Sequence, residues 1–140
     1  MKTIIFDIDG TLTDMWPLER EVLSSMTHEK RKRAIDELHR SGVSDCYVIS
    51  CKVIGRRIGK QIYAARYKTA FSRLLRERRL PQPERFPLVD WIIANKNRYR
   101  FVYATGGRSA ETAYVLRSLG LIDCFDLTNS SAKDTCRFSK

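Results

Sequence analysis

The stretch that decides the fold is Lys2-Thr3-Ile4-Ile5-Phe6-Asp7-Ile8-Asp9-Gly10-Thr11-Leu12-Thr13. Residues 4–8 are mostly apolar and β-branched, and no charge interrupts them before Asp7, which predicts a strand buried on both faces. Side chains alternate along a strand, so Asp7 and Asp9 are expected on the same side, beyond the strand end. Two carboxylates placed together repel unless a cation lies between them or one of them keeps a proton. An Asp-Gly turn explains Asp9 and Gly10 alone, but it does not require Asp7 or the two threonines that follow the glycine.

The rest of the chain carries helical and strand patterns in an order that predicts a parallel α/β fold. Residues 45–54 fit both a strand and a helix, and the helix is favoured. Helices are predicted over residues 17–40 (as one or two helices), 60–79, 86–97 and 110–119, and strands over 99–103 and 126–128. Right-handed crossovers bring the strand ends to one edge of the sheet, and the sites of such sheets lie beyond the carboxyl ends of the strands.

The second predicted strand ends in Ala104-Thr105-Gly106-Gly107, directly before a helix. A threonine hydroxyl and the backbone amides of such a turn can aim several donors at one anion. A routine strand-to-helix turn has the same composition, but its position after the first motif favours a functional role. We therefore expect Asp7, Asp9 and Thr105 to converge without being close in sequence.

The first strand and the turn after it resemble a motif of a known protein family. The stretch from Phe6 to Thr13 resembles the first motif of the haloacid dehalogenase-like (HAD) hydrolase superfamily. The resemblance implies that Asp7 is a nucleophile that accepts a phosphoryl group, and that Asp9 is the general acid and base. It also implies Mg²⁺ as the cofactor, with Asp7 and the main-chain carbonyl of Asp9 as its ligands. An aspartate at position 9 is typical of the phosphatases and phosphomutases of that superfamily, whereas its dehalogenases and P-type ATPases lack it.

Further along the chain the resemblance continues and then stops. Thr105 with Gly106 resembles the second motif, which binds the transferring phosphoryl group. The third motif is a lysine, for which Lys140 is favoured and Lys133 is the alternative. The fourth motif, acidic residues after a further strand, has no counterpart, since no Asp or Glu follows Asp134. We therefore expect a C-terminally truncated member with an incomplete Rossmann-like parallel sheet, whose first strand has an open edge through which the chain could form an oligomer.

The segment between the two motifs resembles a helical cap. The resemblance implies a discontinuous core over residues 1–15 and 85–140, with a cap inserted over residues 16–84. Caps of this kind close over a site, exclude water and choose the substrate. Arg56, Arg57 and Lys60 are the candidates for binding an anionic group of the substrate.

The positive charge of the chain is concentrated in this middle segment. The net charge is +10, and residues 15–85 hold 17 Lys and Arg against 8 Asp and Glu. A solvated helical surface, steering of a phosphorylated substrate and nucleic-acid binding all account for such a bias, and the first is favoured. Tyr63, Tyr67 and Phe71 fall at helical spacing, which indicates a core rather than a stacking platform for bases.

The remaining features of the sequence bear on the location of the protein and on the state of its cysteines. No run of 18 apolar residues and no signal-peptide pattern is present, so a cytoplasmic protein is expected. The four cysteines form no CxxC pair, which predicts free and mostly buried thiols.

The predicted function is that of a Mg²⁺-dependent phosphatase that hydrolyses a small phosphorylated substrate through an aspartyl-phosphate on Asp7. Two alternatives remain open. One is a phosphomutase of the same fold, and the other is a catalytically impaired fragment or a basic nucleic-acid-binding module.

Overall fold

The computed structural model describes residues 1–28 and 31–136 of the 140-residue chain. The chain folds as two compact units. The first unit combines residues 1–15 with residues 82–140, and the second comprises residues 16–81. That residues 16–84 act as a cap stays a prediction.

The first unit is built on a parallel pair of strands. Strand β1 (Lys2–Phe6) pairs with strand β2 (Tyr99–Tyr103) in a register that runs from Lys2 opposite Tyr99 to Phe6 opposite Tyr103. Helix α5 (Pro87–Asn95) precedes β2 and helix α6 (Ser109–Ser118) follows it. The predicted α/β class with a short, incomplete parallel sheet is confirmed.

The predicted third strand over residues 126–128 is wrong. At the other edge of β2 the described chain forms isolated parallel bridges in place of a strand, Phe101 with Phe125 and Ala104 with Ser131. Between the bridges, Leu127–Asn129 form a 3-10 helix. Asp126 explains this outcome, because its carboxylate accepts hydrogen bonds from the backbone amide of Asn129 (3.3 Å) and from Asn129 Nδ2 (2.9 Å). Such local side-chain bonds compete with strand pairing.

The prediction that the first strand is buried on both faces is also wrong for the described chain. Ile5, at the middle of β1, is 68% exposed, whereas Phe6 at its end is buried. Among the described residues β1 pairs only with β2, so its other edge is open. Because β1 is an edge strand, the described elements shield only part of its apolar run.

An aromatic cluster forms the core beside the sheet. The ring of Phe101 lies 5.5 Å from that of Phe6 and 6.2 Å from that of Phe125, measured between centroids. The ring of Trp91 on α5 lies 6.0 Å from that of Phe101. Phe101 is 1% exposed, so it ties both strands and the segment after α6 into one buried contact.

Among its described residues, the second unit has four α-helices. They are α1 (Trp16–Thr27), α2 (Lys32–Arg40), α3 (Cys46–Ile54) and α4 (Lys60–Arg76). Helix α1 packs against each of the other three, and the core takes Val22, Ile35 and Ile49 from the first three helices. The buried face of α4 carries the aromatic side chains predicted to be core, Tyr63, Tyr67 and Phe71.

Helix α3 is the segment that fitted both a strand and a helix. The Asp45 carboxylate caps its first turn by accepting the backbone amide of Tyr47 at 2.8 Å. At its other end Gly55 adopts φ +80°, a conformation that glycine allows without steric cost. These two end signals decide the segment in favour of the helix.

Two general features complete the fold. No helix within residues 1–28 and 31–136 is long and apolar enough to span a membrane. The four cysteines form no disulfide with one another. Cys46, Cys51 and Cys124 are partly buried and Cys136 is exposed, so the prediction that they are mostly buried is wrong.

A bidentate ion pair joins α1 to α2. Arg20 Nε donates to Asp36 Oδ1 at 2.6 Å, and Arg20 Nη2 donates to Asp36 Oδ2 at 2.8 Å. The hydrogen bonds from Arg20 lower the pKa of Asp36 below its ordinary value of 3.8. A lowered pKa in the folded state means that this stabilisation is present above the unfolded-state pKa and is lost as the pH falls through the folded-state pKa.

We expect Asp36→Asn to lower the free energy of unfolding by about 1 kcal/mol at pH 7, because solvent still screens the pair. The difference from the wild type should shrink as the pH falls below 3.8 and Asp36 takes up its proton. Urea unfolding of both proteins at pH 7 and pH 3 measures this. The control is Glu37→Gln, which breaks the exposed Arg33–Glu37 pair of α2 and should change the free energy by less than about 0.5 kcal/mol. Equal effects of the two substitutions would contradict the assignment.

Candidate functional site

The chain leaves β1 through a tight turn that carries the two predicted carboxylates. The amide of Leu12 donates to the carbonyl of Ile8 at 2.9 Å, and the amide of Gly10 donates to the carbonyl of Thr13 at 2.8 Å. Gly10 has φ +74°, which is why a glycine follows the second aspartate. Ile8 and Leu12 are 1% and 0% exposed and anchor the turn in the core.

Asp7 and Asp9 are both exposed on this turn. Asp7 Oδ1 accepts the amide of Ile8 at 2.8 Å, and Asp9 Oδ1 accepts the amide of Met15 at 3.0 Å. In each carboxylate the Oδ2 atom has no hydrogen-bond partner among the described residues. One oxygen of each group is thus held by the backbone, while the other is available to a substrate, a proton or a metal ion.

Thr105 and Gly106 begin the turn between β2 and α6. Thr105 Oγ1 accepts the amide of Gly107 at 3.1 Å. Because this oxygen accepts the Gly107 amide, the hydroxyl proton of Thr105 is free to point elsewhere and donate. The amide of Gly106 has no partner within the described part of the chain, so it is a second available donor.

A cavity lies over this turn. It has a volume of about 670 Å³ and is lined by Ala104, Thr105, Gly106, Ser131, Ala132, Lys133 and Cys136. The Lys133 ammonium is exposed and has no carboxylate partner among the described residues. A hydroxyl, a backbone amide and a lysine on one concave surface can bind an anion such as a phosphoryl group.

The parallel register brings the two motifs to the same edge of the sheet. The amide of Ala104 donates to the carbonyl of Phe6 at 2.9 Å, so the backbones directly before Thr105 and directly before Asp7 are hydrogen-bonded. Paired strands lie about 4.8 Å apart. This pairing agrees with the expectation that the two strands end at one edge of the sheet. The convergence of Asp7, Asp9 and Thr105 at one site stays a prediction.

The three basic residues singled out in the middle segment cluster around the connection between α3 and α4. Arg56 and Arg57 are exposed and line a groove of about 540 Å³ with Tyr47 and other residues of α3. The Lys60 ammonium lies 5.8 Å from the centroid of the Tyr47 ring, within the range of a cation–π interaction. All three belong to the second unit, whereas Asp7, Asp9 and Thr105 belong to the first.

Of the two candidate lysines, Lys140 lies outside the described residues. Lys133 lines the cavity beside Thr105 and Gly106. Sequence reasoning gave Lys133 only as the alternative to Lys140, and it assigned no role to Ser131 or Asp134. Ser131 and Asp134 contact residues about 25 positions earlier in the chain. No local pattern in the sequence indicates contacts over such a separation.

The oxygen donors of the first turn fit Mg²⁺. This ion is usually bound through one or two carboxylates and keeps several waters. Within residues 1–28 and 31–136, no group of three or more His, Cys, Asp or Glu side chains could hold a metal ion. A site built from Asp7 and Asp9 would therefore leave most of the coordination to water and to the substrate.

The fold and the site define an α/β protein with an acidic turn and a Thr-Gly-Gly turn at the carboxyl ends of paired parallel strands. A family model for haloacid dehalogenase-like hydrolases matches residues 1–140. The chain belongs to the haloacid dehalogenase-like hydrolase family.

Solved structures agree with this assignment. A putative beta-phosphoglucomutase from Thermotoga maritima is 25% identical with a TM-score of 0.61, and the match covers 100% of this chain and 65% of that one. A HAD hydrolase of family IA, variant 3, from Entamoeba histolytica HM-1:IMSS is 18% identical with a TM-score of 0.69, covering 100% and 64%. The putative HAD-hydrolase YfnB from Bacillus subtilis, bound to magnesium, is 18% identical with a TM-score of 0.54, covering 89% and 62%. The chain thus spans slightly less than two thirds of the length of these relatives. A search of curated proteins found no match.

Proposed function

We propose that the protein hydrolyses a phosphomonoester with Mg²⁺ through an aspartyl-phosphate on Asp7. The observation that carries the proposal is the pairing of β1 with β2, which puts Asp7 and the Thr105–Gly106 turn at neighbouring strand ends. A carboxylate is a competent phosphoryl acceptor. The donors of the turn are suited to the charged oxygens of the group being transferred.

The first step joins Asp7 to phosphorus. Asp7 Oδ2 attacks, since Oδ1 is occupied by the amide of Ile8. The bond between phosphorus and the ester oxygen breaks, and the leaving oxygen takes a proton from the Asp9 carboxyl group. In the second step water attacks phosphorus, Asp9 takes a proton from that water, and the bond between Asp7 and phosphorus breaks. One residue thus acts first as the acid and then as the base.

The backbone positions Asp9 for this double role. Its Oδ1 is held by the amide of Met15, which leaves Oδ2 to carry the proton. Asp7 and the main-chain carbonyl of Asp9 would hold Mg²⁺, which neutralises the repulsion between carboxylate and phosphate when it is bound. Lys133 or Lys140 would offset the remaining charge of the phosphoryl group.

The experiment that tests the proposal is a panel of phosphomonoesters with the purified chain, with Mg²⁺ and with EDTA. We expect release of inorganic phosphate from at least one ester that stops when EDTA is added. Absence of hydrolysis across the panel in the presence of Mg²⁺ would overturn the proposal for this chain.

A second candidate is phosphomutase activity, which is tested because one similar solved structure is that of a putative beta-phosphoglucomutase. Both reactions form the same aspartyl-phosphate, and they differ in what removes the phosphoryl group. A sugar phosphate accepts it in a mutase, and water accepts it in a phosphatase. Incubation with isotopically labelled sugar phosphates distinguishes the two, because only a mutase yields the positional isomer in excess over free phosphate.

The basic cluster of Arg56, Arg57 and Lys60 is proposed to recognise an anionic group of the substrate. No carboxylate pairs with these cations among the described residues, so their charge is available to a ligand. We expect reversal of all three to glutamate to raise KM for the best substrate about tenfold or more, with a smaller change in kcat. Steady-state kinetics measures this, and reversal of Lys68, an exposed cation elsewhere on α4, is the control. Unchanged KM for every good substrate would refute the role.

A further inference from the structure

The loop of residues 131–136 lies along the turn of residues 105–109. The amide of Thr105 donates to the carbonyl of Ser131 at 3.0 Å, and the amide of Lys133 donates to the carbonyl of Gly107 at 2.9 Å. Inside the loop, Thr135 Oγ1 accepts the amide of Ala132 at 2.9 Å. The loop is thus a folded wall of the cavity that also contains Thr105 and Gly106.

The Asp134 side chain connects this loop to the turn through two hydrogen bonds. Its Oδ1 accepts the amide of Ser109 at 2.8 Å, and its Oδ2 accepts the Ser109 hydroxyl at 2.7 Å. Ser109 is the first residue of α6, and Arg108 at the N-cap supplies no side-chain cap. A carboxylate from 25 positions further along the chain therefore caps the helix that begins at the anion-binding turn.

The electrostatics of Asp134 agree with a fixed, charged carboxylate. Burial alone would raise its pKa, but the hydrogen bonds from Ser109 and the charge of Arg108 lower the pKa below the ordinary value of 3.8. Asp134 also adds to the effect of burial in raising the pKa of Tyr103 on β2. Near neutral pH the capping bonds are therefore made by the ionised form.

We infer that Asp134 is a positioning residue of the phosphate site. By binding Ser109 through both oxygens, it holds the 131–136 loop in place, so that Lys133 faces the same cavity as Thr105 and Gly106. The inference rests on the proposed function, since it assigns this cavity to the phosphoryl group. Asp134 itself does not touch the substrate and acts through the loop.

Two variants of Asp134 test the inference beside a matched control. Asp134→Ala removes both hydrogen bonds. Asp134→Asn keeps an oxygen that accepts the Ser109 amide, but it removes the charge and puts an NH2 donor where Oδ2 accepts the Ser109 hydroxyl, so this hydroxyl must turn to accept instead. Asp123→Ala removes an exposed carboxylate of the same unit that makes no hydrogen bond or ion pair within the described residues. The probes are p-nitrophenyl phosphate for turnover and orthovanadate for binding, both with Mg²⁺.

For Asp134→Ala we expect kcat/KM to fall and the inhibition constant of orthovanadate to rise, each about tenfold. Asp134→Asn should recover most of both losses, and Asp123→Ala should match the wild type. In a Lys133→Ala background, Asp134→Ala should add little, because the loop then carries no cation to position. Full additivity of the two substitutions, or equal effects of Asp134→Ala and Asp123→Ala, would overturn the inference.

Hydrogen exchange followed by mass spectrometry separates this inference from the proposed function. Asp134→Ala should speed exchange in the peptides that cover residues 105–112 and 131–136 and leave the second unit unchanged. If the wild type neither turns over p-nitrophenyl phosphate nor binds orthovanadate, the proposed function is wrong, and exchange alone decides whether Asp134 holds the loop. Unchanged exchange in both peptides would show that it does not.

Discussion

Asp7→Asn is expected to abolish turnover of every phosphomonoester that the wild-type protein hydrolyses, with a loss on the order of 10⁴-fold or more. The amide is nearly the same size as the carboxylate and retains an oxygen for the amide of Ile8, so the turn should keep its shape. What it lacks is a nucleophilic oxygen and the negative charge that would bind Mg²⁺. The loss should therefore appear in kcat.

Trapping of the covalent intermediate tests the role of Asp7 directly. Brief incubation with a substrate labelled in its phosphoryl group, followed by acid quenching, should trap the label on the wild-type chain and not on Asp7→Asn. An acyl-phosphate is cleaved by hydroxylamine, so treatment with hydroxylamine should release the label. Asp123→Asn removes an exposed carboxylate at another place in the same unit and should retain both label and turnover. Full activity in Asp7→Asn would refute the aspartyl-phosphate mechanism.

Phe101→Ala is expected to have the largest effect on stability. The ring is 1% exposed and contacts Phe6, Phe125 and Trp91, so its removal leaves a cavity between both strands, α5 and the segment after α6. Truncation of a buried phenylalanine costs about 3–5 kcal/mol, which is a large part of the 5–15 kcal/mol typical of a whole domain.

Urea denaturation followed by tryptophan fluorescence measures this cost, because Trp91 lies against the altered site. The matched control is Leu127→Ala. Leu127 is apolar and belongs to the same unit, but it is 46% exposed and should cost less than about 0.5 kcal/mol. If both variants unfold at the same urea concentration, Phe101 is not the centre of this core.

The first motif could be predicted from sequence because its signals are local. An apolar run, two aspartates and a glycine follow one another within ten residues, and the structure gives that glycine φ +74°. The helix at residues 46–54 was also decided locally, by Asp45 at one end and Gly55 at the other. The predicted ends of helices α4 and α5, at residues 79 and 97, are two or three residues too late. In the structure these helices end at Arg76 and Asn95.

The errors arose where local chemistry competes with pairing or where partners are distant in sequence. Asp126 bonds to Asn129 and turns a predicted strand into a 3-10 helix. The exposure of Ile5 depends on what covers β1, which the composition of the strand does not contain. Asp134 received no role, because its bond to Ser109 is visible only after folding. The oligomeric state, nucleic-acid binding and the cytoplasmic location stay predictions.

Because one edge of β1 is open among the described residues, the charge of Asp7 also bears on the solubility of the protein. The apolar residues of this strand are flanked by Lys2 and Asp7, charges of opposite sign at its two ends. If identical chains stacked this strand in register as amyloid does, like charges would repeat every 4.7–4.8 Å. At about 4 Å in water each such contact costs about 1 kcal/mol, so we expect both charges to disfavour in-register stacking of this strand. The carboxylate proposed for the chemistry would thus also oppose aggregation through the strand that precedes it.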